Sequence, residues 1–351
     1  MVLRMPPRED TVDVSVVSWN SWGDLQTSLP ALAAQDHPAY RVVVVDNASS
    51  DATADAVEAH FPEVTVIRSA RNGGYAAGNN LCFAQSTSTY IAVLNPDARP
   101  ESGWLRALVR ALEADPNAAL ATSKVLLASD PARVNACGLD VHLSGIAFCR
   151  GLGDAQDAYI AAEPVAAVSG AAFLARRDVL EEIGGLDERF FMYMEDTELS
   201  MRARLAGYGV VMTPRSRVAH AYALGISPWK LYYLERNRIF MLVNVFRWRT
   251  LALLLPALLV AEAGVWAYAL RGGPAMLTAK ARAYASVLRA LPSMLRRRRR
   301  VQAMRRVGDA ALLAQMTPAL PDVGKGAGAL TLLANRFFAR YAAFLRWAVR
   351  W

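Results

Sequence analysis

Two adjacent carboxylates, Glu195 and Asp196, directly follow the apolar run Phe190, Phe191, Met192, Tyr193, Met194. Charged groups behind such a run line a pocket, open a helix, or do both. Asp196 suits a helix start: Leu199, Ala203 and Ala206 follow at helical spacing, and Gly207 and Gly209 supply a stop. The positive end of a helix dipole favours the ionised form of such an acid. An anion beside an apolar wall can take a proton from a bound hydroxyl. The pair therefore reads either as general-base machinery or as an ordinary cap on an amphipathic helix.

Three more clusters carry polar groups that could meet a ligand. Asp46, within Asp46-Asn47-Ala48-Ser49-Ser50-Asp51, could accept hydrogen bonds from a nucleobase or ribose; an Asx-turn opening the next helix is the alternative. Arg71-Asn72-Gly73-Gly74-Tyr75-Ala76-Ala77-Gly78 is neither a dinucleotide fingerprint nor a P-loop. Its glycines still permit close backbone approach, and Arg71 can pair with phosphate. Asn95-Pro96-Asp97 offers a carboxylate on a proline turn, a natural ligand for a divalent cation bridging a diphosphate, or else a simple turn. His220 is either a satisfied core histidine or a further metal ligand.

The elements around these clusters alternate. Val12–Trp19, Tyr40–Val45, Val64–Ile67 and Tyr90–Leu94 read as short apolar strands; Leu25–Ala34, Thr53–His60 and a segment opened by the glycine turn read as helices. That alternation predicts an α/β fold with a mostly parallel sheet covered on both faces. Asn20, Asp46 and Asp97 fall just after strands, where ligands bind in open α/β sheets, so they should converge. From Val125 to Ala162 the pattern loosens into loops and short strands. Val165–Leu174, Val210–Met212 and Arg217–Ala221 read as strands, and Arg177–Ile183 and Pro228–Phe246 as helices.

In combination and order, these motifs resemble glycosyltransferase family 2, with its GT-A fold, over about residues 11–240. VVSWN at 16–20 and DNASSD at 46–51 resemble the family's base-binding strand ends, RNGGYAAGNN at 71–80 its nucleotide loop, and LNPDA at 94–98 the metal motif of rhamnosyltransferase-like members. The block from Ser169 to Tyr208 resembles the acceptor and catalytic region, and YYLERNR at 232–238 recurs in that subgroup. The resemblance implies Ser18, Asn20, Asp46, Asn47, Arg71, Gly74, Asn95 and Asp97 at the nucleotide sugar. It implies Asp196 as catalytic base, with Glu195, Gly170 and Arg236 supporting it or lining the acceptor site. Asp97 would hold Mg2+ or Mn2+; Asn95 replaces the first acid of the usual Asp-any-Asp motif, and His220 would compensate. The implied reaction is inverting transfer from a nucleotide diphosphate sugar, with rhamnose from dTDP-rhamnose favoured and another hexose from a UDP- or GDP-sugar open. The implied acceptor is a polyprenyl-diphosphate-linked glycan. A sugar nucleotidyltransferase fits less well, because no glycine- and lysine-rich triphosphate loop lies near the N-terminus.

Charge divides the chain. Residues 240–351 hold 18 Lys and Arg against 3 Asp and Glu; residues 1–239 hold 21 against 28, giving +15 and −7. A basic, apolar tail on an acidic domain suggests an anionic membrane surface, and no zinc or RNA-binding signature supports a nucleic-acid partner. The expected division is a catalytic domain at 1–240 and a helical membrane-association region at 241–351. Residues 251–270 are almost wholly apolar, long enough for a membrane span, yet contain Pro256 and Glu262. A span, an in-plane or re-entrant element and a buried helix all remain open. Arg296–Arg300 reads as an anionic-lipid contact, and Leu330–Trp351, mixing aromatics with arginines, as an interfacial helix. Three cysteines without paired or metal spacing, and an N-terminus lacking a signal-peptide core, lead to the expectation of the cytoplasmic face of the membrane.

Overall fold

A computed structural model describes residues 11–222, 225–321 and 328–351. The stretch read for a signal peptide falls on residues 1–10, outside the described residues. The first half alternates as expected: β1 (Val12–Ser18), α1 (Trp22–Ala33), β2 (Tyr40–Asp46), α2 (Thr53–His60), β3 (Thr65–Arg68), α3 (Gly74–Gln85) and β4 (Tyr90–Leu94). Strands β3, β2, β1 and β4 lie side by side and parallel. Every residue of β1 and β4 is buried, which is why both read as unbroken apolar runs. Gly78 brings α3 against the sheet: a Cβ there would lie 2.6 Å from Val17 Cγ1.

The chain continues through β5 (Ala98–Pro100), α4 (Trp104–Ala114), β6 (Ala118–Leu127), β7 (Asp130–Cys137), β8 (Leu139–Val141), β9 (Ala147–Cys149), β10 (Glu163–Pro164), β11 (Ala172–Arg176), α5 (Arg177–Ile183), α6 (Glu195–Leu205) and β12 (Gly209–His220). The sheet order is β10-β12-β6-β11-β4-β1-β2-β3, with β11 antiparallel between β4 and β6. That reversal inserts the Ser169–Arg176 segment into the sheet centre and delivers Gly170 beside the ends of the parallel strands. The two short strands read at 210–212 and 217–221 are one strand, β12, with a register shift between Thr213 and Arg217. The strand read at 165–174 starts later, at Ala172.

Five helices follow: α7 (Pro228–Val245), α8 (Trp248–Arg271), α9 (Pro274–Ala303), α10 (Asp309–Ala314) and α11 (Ala329–Ala348). A boundary after residue 240 falls inside α7, whose Phe240, Met241 and Leu242 share one core with Phe190, with Met201 of α6 and with Val287 and Met294 of α9. Glu262, the charge inside the apolar α8, faces inward. It pairs with Arg238 at 2.8 Å and Lys280 at 2.5 Å, and both cations also pair with Glu235. Two cations and two anions thus neutralise one another between α7, α8 and α9. The outward face of α8 is apolar, with Leu255, Leu259, Val260 and Leu270 exposed. Among the described residues, α8 is the one helix long and apolar enough to cross a membrane.

The arginine run is not one solvated patch. Arg298 is buried: it donates to the carbonyls of Val243 and Phe246 at the end of α7 and lies over the Trp248 ring at 4.0 Å. Arg297 approaches Asp187 at 3.5 Å. Arg296, Arg299 and Arg300 alone are exposed. The reading of all five as a lipid contact is corrected accordingly, because helical geometry turns consecutive residues to different faces. Arg305 and Arg306 likewise pair with Asp309 and Glu182.

Candidate active site

Met194, not Asp196, is the N-cap of α6, and Asp196 is its second residue. The cap expectation is corrected, but the carboxylate is held in place. Gly170 N donates to Asp196 Oδ2 at 2.7 Å, and Thr197 N and Oγ1 donate to Oδ1 at 2.6 and 3.2 Å, which leaves the further lone pair on Oδ2. Gly170 permits this approach: a Cβ there would lie 3.0 Å from Asp196 Oδ2. Burial raises the Asp196 pKa against the lowering effect of these hydrogen bonds, so the helix dipole does not hold it below the ordinary value as the sequence suggested. Glu195 is pushed well above its ordinary range by burial and then by the Asp196 charge, and its Oε2 has no partner among the described residues. Within this adjacent pair the proton belongs on Glu195 and the charge on Asp196.

The loop that delivers this pair is strained. Phe191, Tyr193 and Met194 have φ of 65°, 65° and 70°. Such residues cost about 1–3 kcal/mol each and persist where surrounding groups hold them. The YYLERNR motif does the holding. Asn237 Nδ2 donates to the carbonyls of Phe190, Met192 and Tyr193 at 2.7–3.0 Å, and Arg236 donates to those of Arg189 and Phe190 at 2.7 Å. Arg236 therefore bears on Asp196 only through the loop. Buried Arg202 pairs with Glu198 at 2.6 Å and ties α6 to the Ile183 carbonyl.

At the opposite wall, Ser18 and Asp46 are register partners at the carboxyl ends of β1 and β2. Ser18 Oγ and Asp46 Oδ1 are buried without a partner among the described residues, a cost that a bound base or ribose would remove. Asn20 bridges the two strand ends, its Oδ1 accepting from Ser50 N at 2.8 Å. Asn47 is committed to the glycine loop: it donates to Asn72 Oδ1 and the Gly74 carbonyl and accepts from Gly73 N. Gly74 has φ of +83°, and a Cβ would lie 2.3 Å from the Phe191 carbonyl, so the glycine loop packs directly on the strained loop. Arg71 is exposed at the loop edge.

Asp97 Oδ1 lies 3.2 Å from His220 Nε2, and the Asn95 amide nitrogen 3.3 Å from the same atom. The ring is oriented from behind by Asn135 Oδ1 at 3.0 Å from Nδ1. A proton on Nδ1, donated to Asn135, leaves the Nε2 lone pair facing a carboxylate, a donor pair that suits a divalent cation. Among the described residues no three His, Cys, Asp or Glu side chains cluster for a metal. Two protein donors leave most of the coordination to diphosphate oxygens and water, as Mg2+ and Mn2+ commonly accept.

Tyr75 joins the two halves. Its hydroxyl donates to the Gly170 carbonyl at 2.5 Å, and its pKa is pushed well up by burial and further by the charges of Asp196 and Asp97. Sequence reasoning quoted Tyr75 within the glycine motif without giving it a role; nothing in its spacing announces a partner 95 residues away. Asn237 was missed in the same way.

The sequence family agrees with this geometry. Residues 13–184 match the model of glycosyl transferase family 2. Over that stretch the chain is a family 2 glycosyltransferase domain. It is 26% identical over 243 residues to the N-acetylglucosaminyl-diphospho-decaprenol L-rhamnosyltransferase of Mycobacterium tuberculosis, covering 62% of this chain and 79% of that one. It superposes on S. aureus TarS 1-349 in complex with UDP-GlcNAc with a TM-score of 0.56 at 15% identity, over 96% of this chain and 89% of that one. It also superposes on GalNAc-T7 with UDP, GalNAc and Mn2+, with a TM-score of 0.55 at 16% identity, over 68% of this chain but only 48% of that one. The fold is thus GT-A, and the family chemistry is glycosyl transfer from a nucleotide sugar. The matched stretch ends at Gly184, before the Glu195-Asp196 pair, so the roles in α6 rest on the geometry described above.

Proposed function

We propose that this family 2 domain catalyses inverting transfer of a sugar, rhamnose from dTDP-rhamnose, onto a hydroxyl of a polyprenyl-diphosphate-linked glycan at the cytoplasmic face of the membrane. The observation that carries the reaction type is the carboxylate of Asp196, fixed by two backbone N–H groups and, like Asp97 of the Asp97–His220 pair, close enough to Tyr75 to act on its phenol. Asp196 accepts the proton of the acceptor hydroxyl as its oxygen attacks the anomeric carbon and the diphosphate leaves from the opposite face. Its raised pKa makes it a stronger base than a solvated aspartate. Glu195, neutral, adds no competing charge.

Ser18 and Asp46 receive the base, and Arg71 reaches the diphosphate. Asp97 and His220 would hold Mg2+ or Mn2+, which when bound neutralises charge growing on the leaving diphosphate. The rhamnosyl donor and lipid-linked acceptor are supported by the mycobacterial relative, whose name states both the sugar and the diphospho-decaprenol carrier.

In-plane placement of α8 is supported by its two faces. One is tied into the protein by the Glu262 ion pairs; the other exposes uncharged, mainly apolar side chains from Ala252 to Leu270, Tyr268 among them, with Arg249 and Arg271 exposed at its ends. The exposed Leu332, Leu333, Phe344 and Trp347 of α11, interleaved with Arg336, Arg340 and Arg346, give a second interfacial surface. The test is to incubate the protein with dTDP-rhamnose, UDP-hexoses and GDP-hexoses and a polyprenyl-diphosphate N-acetylhexosamine, reading products by mass spectrometry. Rhamnosyl transfer is the expected result; exclusive use of another donor would overturn the sugar assignment, and no transfer from any donor the reaction.

A further inference from the structure

The reaction as derived leaves one wall of the cleft without a task. The Tyr222 ring lies 5.9 Å from His220, at the metal end. Lys230 Nζ sits 4.9 Å over Tyr222 and 5.5 Å over Tyr193. Tyr193 meets Trp229 at 5.8 Å, and Trp229 meets Tyr233 at 4.9 Å. The wall therefore runs from the imidazole that faces Asp97 to the strained loop that delivers Asp196, three residues after Tyr193. Burial raises the Tyr193 phenol above its ordinary value. Ser227 caps α7 by accepting from Lys230 N at 3.1 Å, which fixes Trp229 and Lys230 in the first turn.

This composition is not what a core needs. Trp229 is 48% exposed in the first turn of α7. Its flat apolar face, with the Tyr193 ring set at 75° to it, matches the C–H face of a pyranose. Lys230 is held over two phenol rings rather than extended into water, where an ammonium can meet a phosphate oxygen at fixed height above the wall.

We propose that Tyr193, Trp229 and Lys230 form the acceptor subsite and select a phosphate-bearing glycoside over a neutral one. The proposal rests on the glycosyl-transfer reading above. Its test is steady-state kinetics with the donor turned over in the mass-spectrometric panel and two acceptor probes, N-acetylglucosaminyl-diphospho-farnesol and octyl N-acetylglucosaminide. Trp229→Ala is expected to raise the KM of both acceptors about tenfold, the weight of one lost ring contact of ~1.4 kcal/mol, with part recovered in Trp229→Phe. Lys230→Met is expected to raise the KM of the diphosphate acceptor by about tenfold and to spare that of the neutral one. In both variants the donor KM stays put, which also certifies the fold.

An unchanged acceptor KM in Trp229→Ala, or a Lys230→Met effect equal on both acceptors, overturns the proposal while leaving wild-type transfer intact. A raised donor KM in Lys230→Met overturns it too, assigning Lys230 to the donor diphosphate. Wild-type protein that consumes no nucleotide sugar at all overturns the transfer reading, and this proposal with it.

Discussion

At the scale of residues, the proposed chemistry depends on two neighbouring acids having different environments. Asp196 receives two backbone N–H groups, whereas Glu195 is more deeply buried with an oxygen left without a partner. Like charges in adjacent buried positions separate in pKa, and the better-solvated member ionises first. Glu195→Gln should therefore retain most activity, because it replaces a neutral acid with a neutral amide. The acid limb of its rate profile should lie where the wild type's does, above the range of an ordinary aspartate, since burial rather than Glu195 is the main cause of the Asp196 shift. The stability consequence has a definite sign. A carboxyl whose folded pKa is raised favours folding at low pH and loses that contribution as pH rises from its unfolded to its folded pKa. Glu195→Gln should thus raise Tm relative to wild type at pH 7.5 and lose that advantage at pH 4.5, as read by thermal melts. An equal Tm difference at both pH values would place the charge elsewhere.

At the scale of elements, the chain shows how one helix can be read wrongly while its neighbours are read well. The parallel strands were legible because burial on both faces leaves apolar runs, and their polar ends stand out against them. The strand-end acids were legible for the same reason. The antiparallel insertion of β11 was not, since Ala172–Arg176 is short and its direction is set by partners on both sides. The partners of Tyr75 and Asn237 were invisible, because each hydrogen-bonds backbone carbonyls, which carry no residue-type signal. The arginine run misled for a geometric reason: a helix sends successive residues around its circumference. Arg298→Ala should therefore destabilise the protein by about 1–3 kcal/mol, leaving α7 carbonyls unsatisfied, whereas Arg299→Ala and Arg300→Ala should stay within ~0.5 kcal/mol in urea unfolding. Lys280→Met should cost more, about 3–5 kcal/mol, because Lys280 is fully buried against Glu235 and Glu262 and its loss leaves two acids to share the single charge of Arg238. Equal, small effects at all four positions would mean that α9 is not docked as described.

At the scale of the whole molecule, the acidic sheet and the basic helices are one packed body in which α7 serves both. It supplies Asn237 and Arg236 to the catalytic loop and Glu235 and Arg238 to the ion-pair network beneath α8. The proposed membrane face and the proposed base are therefore joined through a single helix. Leu255→Asp with Leu259→Asp should abolish sedimentation with phosphatidylglycerol-containing vesicles, while soluble-acceptor turnover persists, since neither residue touches the catalytic loop. Vesicle binding that survives the double change but disappears in high salt would reduce membrane attachment to electrostatics alone.

The central claim is that Asp196 is the base, and one comparison tests it most directly. Transfer rate and donor affinity are measured together for wild type and Asp196→Asn, the amide keeping the shape and the capacity to accept from Gly170. The account predicts a fall in kcat of about 10²–10⁴-fold with donor Kd unchanged. Near-wild-type turnover with normal donor binding would contradict it.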